Sequence, residues 1–209
     1  KVARMDTDTT RGKNSYEKII DDFEKNRVQI LVGTQMLSKG LDFGNVSVVG
    51  IISADSLLNY PDFRSYERGF QLMTQAAGRS GRKNRQGKVI IQSNDPDQPI
   101  YRYIVENDYE SFFVSQLSER KIFKYPPYYR LISIVIKDKN ESKADEASRY
   151  LADSLKSSLG DRVSGPNKPV IGKIQTFFIR NILLKTEIGL STQKIRTLVK
   201  QAETILRKN

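Results

Sequence analysis

Short runs of branched apolar residues alternate with amphipathic helical patterns through the first 120 residues, and this alternation restricts the possible fold most. The predicted strands are residues 28–32, 46–52 and 88–92. An amphipathic helical pattern, residues 65–77, lies between the second and third. This order predicts an α/β fold with a parallel sheet covered by helices. In such sheets, ligands bind in the loops beyond the carboxyl ends of the strands.

A second, smaller domain is predicted after a proline-containing linker. Residues 121–130 hold the pair Pro126-Pro127, which a helix interior or a central strand does not accommodate. The rest of the chain reads as strand, helix, strand and helix, which is typical of an α+β sandwich of the split βαβ kind. The predicted domains are therefore residues 1–120 and 131–209, joined by the linker 121–130.

Positive charge is concentrated in the second domain. The chain has a net charge of +11, yet residues 1–120 contribute only +1 and residues 121–209 contribute +10. A solvated lysine-rich surface is one explanation of this excess. The other is a polyanionic partner, either nucleic acid phosphates or an acidic protein tail.

The composition excludes several classes of function. The sequence contains no cysteine and no histidine, which excludes disulfides, thiolate zinc sites and histidine-based catalytic triads within these residues. No apolar run is long enough for a membrane span, and we expect no membrane partner. The sequence begins at Lys1 without a targeting segment, so we expect it to be a piece of a longer protein.

Residues 75–82, which read Gln-Ala-Ala-Gly-Arg-Ser-Gly-Arg, are the strongest candidate site. On a helix, Gln75, Gly78, Arg79 and Arg82 lie on one face. Two arginines on one face can grip phosphate oxygens and stabilise the charge of a leaving γ-phosphoryl group. The alternative is a helix end with favourable cations and glycine caps. The octapeptide alone leaves both interpretations open.

The loop after the first predicted strand is a second candidate. It contains Thr34, Gln35, Lys39, Gly40 and Asp42. A hydroxyl and backbone amides at a strand end can hold a nucleic acid phosphate, to which Lys39 adds a positive charge. Taken alone, the loop is rich in turn residues, which favours a purely structural role.

The order of these motifs resembles the second motor lobe of superfamily-two helicases. The series runs from the loop at residues 33–40 through Asp55 and residues 61–68 to residues 75–82. Residues 61–68, Pro-Asp-Phe-Arg-Ser-Tyr-Glu-Arg, are typical of one family within that group, the primosomal replication-restart DNA helicases. The resemblance covers the whole chain and implies a RecA-like helicase lobe followed by that family's C-terminal domain.

The resemblance also implies roles for individual residues. Gln75, Arg79 and Arg82 would be catalytic, with Arg82 as the first choice for the arginine finger. The residues implied to bind the nucleotide are Gly40, Asp42, Gly78, Arg79 and Arg82, and those implied to bind DNA in this lobe are Thr34, Gln35 and Lys39. ATP with Mg²⁺ would be bound mainly by a first lobe, because no Walker loop is present here. A zinc segment is expected only upstream, and the chain alone is expected to be inactive.

In the second domain, the resemblance implies contacts with branched or forked DNA, with the acidic tail of single-strand binding protein and with other primosome proteins. Lys173, Arg180 and Lys185 are the expected charge contacts there. Relatives carry a basic-flanked aromatic residue in this strand, whereas here Phe177 and Phe178 are expected to be core residues. Basic residues around the proline pair are either an alternative set of contacts or part of a solvated linker: Lys121, Lys124 and Arg130.

For the whole protein, the resemblance implies an ATP-driven 3′→5′ DNA helicase that restarts replication at stalled forks in the bacterial cytoplasm, associated with the nucleoid. A motor that translocates or remodels nucleoprotein without separating strands is one alternative. A non-enzymatic nucleic-acid-binding module that has kept a motor-like fold is another.

Overall fold

The structure is a computed structural model, and it describes residues 1–6, 15–34, 46–78, 80 and 87–206. The chain forms two compact units, Lys1–Val114 and Ser115–Asn209. Each unit is described by itself below. The domain boundaries expected from the sequence stay a prediction, and the expected linker, residues 121–130, lies within the second unit.

The first unit is an α/β structure built on parallel strand pairs. Its described elements are β1 (Val2–Met5), α1 (Ser15–Glu24), β2 (Ile30–Gly33), β3 (Val48–Ile51), α2 (Asp55–Leu58), α3 (Ser65–Ala77), β4 (Lys88–Ile91), α4 (Pro99–Glu106) and the start of α5 (Tyr109–Ile122). Strand β1 pairs in parallel with β2, and β3 pairs in parallel with β4. The predicted α/β class with parallel strands and an intervening helix is confirmed, although β1 was not among the predicted strands.

Helix α3 forms the centre of the larger apolar cluster of this unit. Phe70 and Met73 are buried on its inner face, and the Phe70 ring stacks on Phe112 with 4.4 Å between centroids. On the same face, a Cβ at Gly69 would lie 2.6 Å from Leu58 Cδ2. Glycine at this position therefore lets α3 pack closely on α2.

The second unit has the split βαβ topology that the sequence predicts. Its elements are β5 (Tyr129–Asp138), α6 (Glu141–Leu159), β6 (Val163–Asn167), β7 (Lys173–Ile174), β8 (Phe177–Glu187) and α7 (Thr192–Leu206), together with the end of α5. Strand β8 lies between β5 and β6 and is antiparallel to both. Strands β5 and β6 are therefore parallel to each other and are connected through α6, as a split βαβ unit requires.

One face of this sheet packs against α6 and α7. Ile182 and Leu184 of β8 are fully buried there, together with Leu155 of α6 and Ile195 of α7. Gly165 introduces an irregularity in β6, because its φ of 100° and its approach to the Asn181 carbonyl leave no room for a Cβ. Among the described residues, no helix is long and apolar enough to cross a lipid bilayer.

Candidate nucleotide and nucleic-acid sites

Thr34 lies at the carboxyl end of a parallel strand. It follows β2 directly, beyond the pairing of Met5 with Gly33, and its side chain is exposed. This is the edge at which parallel sheets bind ligands. The other residues expected in this loop lie outside the described residues: Gln35, Lys39, Gly40 and Asp42. A DNA contact by Thr34 stays a prediction.

An exposed polar ridge runs along α3 toward the predicted arginines. Its members recur at helical spacing and are exposed: Arg64, Arg68, Gln71, Gln75 and Gly78. The amide of Gln75 is therefore accessible to a partner at the carboxyl end of the helix. Arg79 and Arg82 lie outside the described residues. Their contact with a γ-phosphate stays a prediction.

Gly78 has no structural requirement for glycine among the described residues. It follows the last residue of α3 with an ordinary φ of −64°, and its N–H donates to the Thr74 carbonyl at 3.0 Å. A Cβ there would meet only carbonyl oxygens of its own helix, at 3.5 and 3.6 Å. A small residue at this exposed position is thus compatible with close approach by a ligand.

The loop before α3 is organised around Asp62. One carboxylate oxygen accepts the Arg64 N–H at 2.9 Å, and the other is paired with Arg68 Nη1 at 3.0 Å. Burial acts to raise the pKa of Asp62, but the Arg64 N–H and the charges of Arg68 and Arg64 outweigh it and lower the pKa. Asp62 therefore stays ionised and positions both arginines at the start of the exposed ridge.

Asp55 connects the carboxyl ends of β3 and β4. Its carboxylate accepts hydrogen bonds from Ser93 Oγ at 2.6 Å, the Asn94 N–H at 2.8 Å and the Tyr101 hydroxyl at 3.3 Å. The Ser93 bond, followed by the Asn94 bond, lowers the pKa of Asp55. Sequence reasoning gave Asp55 a place in the motif series but no contacts. The available signal was polar residues directly after each of two predicted strands.

In the second unit, Lys173 and Lys185 occupy different environments. Lys173 is exposed, and its Nζ lies 4.5 Å from the Phe178 ring centroid. Lys185 Nζ lies 3.7 Å from the Tyr125 ring centroid and donates to the Phe123 carbonyl at 2.7 Å. Lys185 thus holds the proline-containing segment to the sheet, while Lys173 remains accessible to a partner.

Arg180 is buried and paired, which differs from the expected DNA contact. The residue is 5% exposed. Its guanidinium is paired with Asp145 and with Glu141, and Nη2 donates to the two carboxylates at 3.0 and 2.9 Å. Hydrogen bonds from Arg180 lower the pKa of both carboxyls. A phosphate would have to displace these pairs, so Arg180 has a structural role joining β8 to α6.

Among the described residues, the expected nucleotide site has an exposed side-chain amide but no cluster of metal ligands. Among them, no group of three His, Cys, Asp or Glu side chains could hold a metal ion. Gln75 and Gly78 are the described residues of the expected nucleotide site, and both are exposed. The Gln75 amide can donate to a partner, whereas the Gly78 N–H is already bonded to the Thr74 carbonyl. A nucleotide bound here would need its Mg²⁺ held elsewhere.

Comparison with protein families defines the class of each unit. The family described as "Helicase conserved C-terminal domain" matches residues 1–84, and the family described as "Primosomal protein N C-terminal domain" matches residues 121–209. The first match and the parallel strand pairs agree with the predicted RecA-like helicase lobe. The chain is therefore a helicase lobe followed by a primosomal C-terminal domain.

Similarity to individual proteins identifies the family. The replication restart protein PriA of Bacillus subtilis is 39% identical over 201 residues, which are 93% of this chain and 25% of that protein. PriA of Synechocystis is 42% identical over 71% of this chain and 18% of that protein, and PriA of Thermotoga maritima is 35% identical over 90% and 25%. The chain belongs to the PriA family and corresponds to a C-terminal part of its members, with about a quarter of their length.

Proposed function

We propose that this chain belongs to an ATP-dependent 3′→5′ DNA helicase that restarts replication and assembles primosomes at stalled forks. The observation that carries this proposal is the order of the two family matches, a helicase domain followed by a primosomal domain. The relatives are named replication restart proteins, which supports the same role. We place the protein in the bacterial cytoplasm, at the nucleoid.

In this proposal the first unit serves ATP hydrolysis and DNA translocation. Arg82 and Arg79 would meet the γ-phosphate, with Gln75 beside them, and Gly40, Asp42 and Gly78 would line the nucleotide. ATP with Mg²⁺, held mainly by another lobe, would supply the phosphoryl group whose developing charge the arginines stabilise. Thr34, Gln35 and Lys39 would hold the DNA backbone. The exposure of Thr34, Gln75 and Gly78 supports these assignments.

The second unit would hold branched DNA and contact primosome proteins, including the acidic tail of single-strand binding protein. Its positive charge supports a polyanionic partner. Lys173 is accessible for such contacts, whereas Lys185 and Arg180 are used within the unit. We therefore assign the nucleic-acid contacts of this unit to Lys173 and other exposed lysines.

Strand separation by the whole protein tests the proposed activity. Forked DNA substrates with either a 3′ or a 5′ single-stranded tail would be incubated with ATP, and release of a labelled strand would be followed. We expect ATP-dependent release from the substrate with the 3′ single-stranded tail, because a motor that moves 3′→5′ can load on that tail. ATP hydrolysis stimulated by DNA without strand release would instead identify a translocase or remodeller. Absence of hydrolysis would identify a non-enzymatic binding module.

A further inference from the structure

The hairpin formed by β7 and the start of β8 carries two phenylalanine rings outside the core. Lys173 pairs with Phe178 and Ile174 pairs with Phe177, so that only two residues form the turn. Phe177 is 37% exposed and Phe178 is half-buried, and neither belongs to the core between the sheet and the helices. The expectation that both rings are core residues is therefore wrong. Phe177 and Phe178 are consecutive on β8, so their rings lie on opposite faces of the hairpin.

Each ring is accompanied by a lysine. Lys139, directly after β5, has its Nζ 5.9 Å from the Phe177 ring centroid, and Lys173 Nζ is 4.5 Å from the Phe178 ring centroid. Within the described part of the chain, neither lysine forms an ion pair with a carboxylate. Lys168, by contrast, is paired with Glu141. The tip therefore presents positive charge that the fold does not neutralise, next to an exposed aromatic surface.

We propose that the hairpin-tip platform, defined as Lys139, Lys173, Phe177 and Phe178, binds single-stranded nucleic acid. An unpaired base stacks on Phe177, and Lys139 on the same face contacts an adjacent phosphate. Lys173, beside Phe178 on the other face, contacts the strand where it continues over the tip. An exposed ring beside a cation is a combination that binds single strands without sequence preference, because every base has an aromatic face. In a duplex the base faces are already stacked on one another, so a duplex cannot offer one to Phe177.

This platform deepens the proposed function, because it names the part of the second unit that holds a DNA strand. It acts without ATP, so its test is independent of hydrolysis and unwinding. If the whole protein fails to separate strands while the platform binds as described, only the proposed motor activity is overturned.

Fluorescence anisotropy with the 209-residue chain tests the platform. The probes are an oligothymidylate of about 12 nucleotides and an abasic strand of the same length and charge. The variant Phe177→Leu is expected to lower affinity for oligothymidylate roughly tenfold while leaving abasic binding unchanged. Tyr150→Leu on α6, which removes a ring of similar exposure, is the matched control and should change neither.

The lysines give an independent readout. Lys139→Met and Lys173→Met are each expected to reduce the slope of log affinity against log salt by about 0.7, for both strands alike. Lys156→Met, an exposed lysine on α6, is the control and should leave the slope unchanged. Thermal unfolding of every variant checks that the fold is retained.

Three results would overturn the proposal. The first is unchanged oligothymidylate affinity in Phe177→Leu. The second is an equal loss for the base-bearing and the abasic strands, which would mean that no base stacks there. The third is binding of an acidic peptide, but not of a single strand, that depends on Phe177, since the surface would then be a protein-binding site.

Discussion

The two units use their charged residues differently. The first unit contains 16 Lys and Arg against 15 Asp and Glu, and acids such as Asp62 position its described arginines. The second unit contains 19 Lys and Arg against 9 Asp and Glu. There, Arg180 and Arg162 are paired with carboxylates, while several exposed lysines are not paired within the described part of the chain. The first unit thus uses charged side chains to fix local geometry, and the second has an excess of positive charge that suits a polyanionic partner.

The sheets of the two units also differ, in the length and the burial of their strands. The parallel strands of the first unit are four residues long, and apolar side chains such as Ile90 on β4 remain half exposed. The second unit has a central strand with neighbours on both sides and a fully buried Ile182. A unit whose stability depends on one apolar core responds strongly to core substitutions. The first unit has a buried apolar cluster around α3, so the two units differ in the burial of their described strands and not in having a core.

The largest expected effect on stability is Ile182→Ala. Because Ile182 is fully buried in the core of the second unit, its truncation should lower the free energy of unfolding by about 2–5 kcal/mol. Ile90→Ala in the first unit should cost less, because that side chain is half exposed. Hydrogen exchange followed by mass spectrometry separates the units, and comparable losses in both would break the comparison.

Arg180→Met is expected to have the next largest effect. The substitution leaves Asp145 and Glu141 without their main partner, and we expect a loss of stability smaller than that of Ile182→Ala, because the carboxylates retain contact with water. Chemical denaturation measures the loss. Lys168→Met, which removes an exposed partner of Glu141, is the control and should change stability by less than about 1 kcal/mol.

The same pair predicts a dependence on pH. Arg180 lowers the pKa of Asp145 and Glu141 in the folded state, so their contribution is present above the ordinary carboxyl pKa and is lost as pH falls through the lowered values. Stability measured between pH 7 and about pH 3 should therefore fall less steeply in Arg180→Met than in the parent. An equally steep fall in both proteins would show that other carboxyls dominate.

Gly69 within α3 and Gly78 directly after it sharpen the distinction between folding and function in the first unit. Gly69→Ala should destabilise by about 1–3 kcal/mol, because its Cβ would overlap Leu58. Gly78→Ala should leave stability unchanged or raise it by up to about 1 kcal/mol. In the whole protein, Gly78→Ala should nevertheless reduce ATP turnover if a ligand approaches closely there. Full turnover in Gly78→Ala would remove Gly78 from the proposed site.

Ser93→Ala is expected to have a small and local effect. It removes one of the hydrogen bonds that hold Asp55 between β3 and β4, and it should cost about 1 kcal/mol. Exchange protection should fall around β3 and β4 and stay unchanged in the second unit. The control is Ser157→Ala on α6, where the hydroxyl only donates to a carbonyl of its own helix. A global loss of protection from Ser93→Ala would contradict this local role.

Much of the fold could be predicted from the sequence, because helices and strands leave patterns in neighbouring residues. Helical spacing gave α3 with Phe70 and Met73 on its buried face, and the order of strands and helices gave both unit architectures. Strand β1 was missed because Ala3 and Arg4 interrupt its apolar residues, so it lacks the run of branched apolar residues that marks β2, β3 and β4. Its pairing with β2 depends on residues far along the chain.

The side-chain environments of the second unit required tertiary information. Arg180 finds its partners 35 and 39 residues earlier, on α6, and no local pattern reports such a pairing. Phe177 looked like a core residue because it stands in an apolar run. The position of the hairpin turn decides that it leaves the core, and Gln175 with a φ of 53° marks this turn. Charge asymmetry, in contrast, was visible from composition alone.

The most direct test of the division between the two units is Arg82→Ala in the whole protein. ATP turnover stimulated by DNA and affinity for single-stranded DNA would be measured on the same preparation. If Arg82 stabilises the transferring phosphoryl group, turnover should fall by about 10³–10⁵ while the DNA affinity stays within about twofold. Turnover at the parent's rate would contradict a nucleotide site on the first unit, and an equal loss of DNA affinity would contradict the division itself.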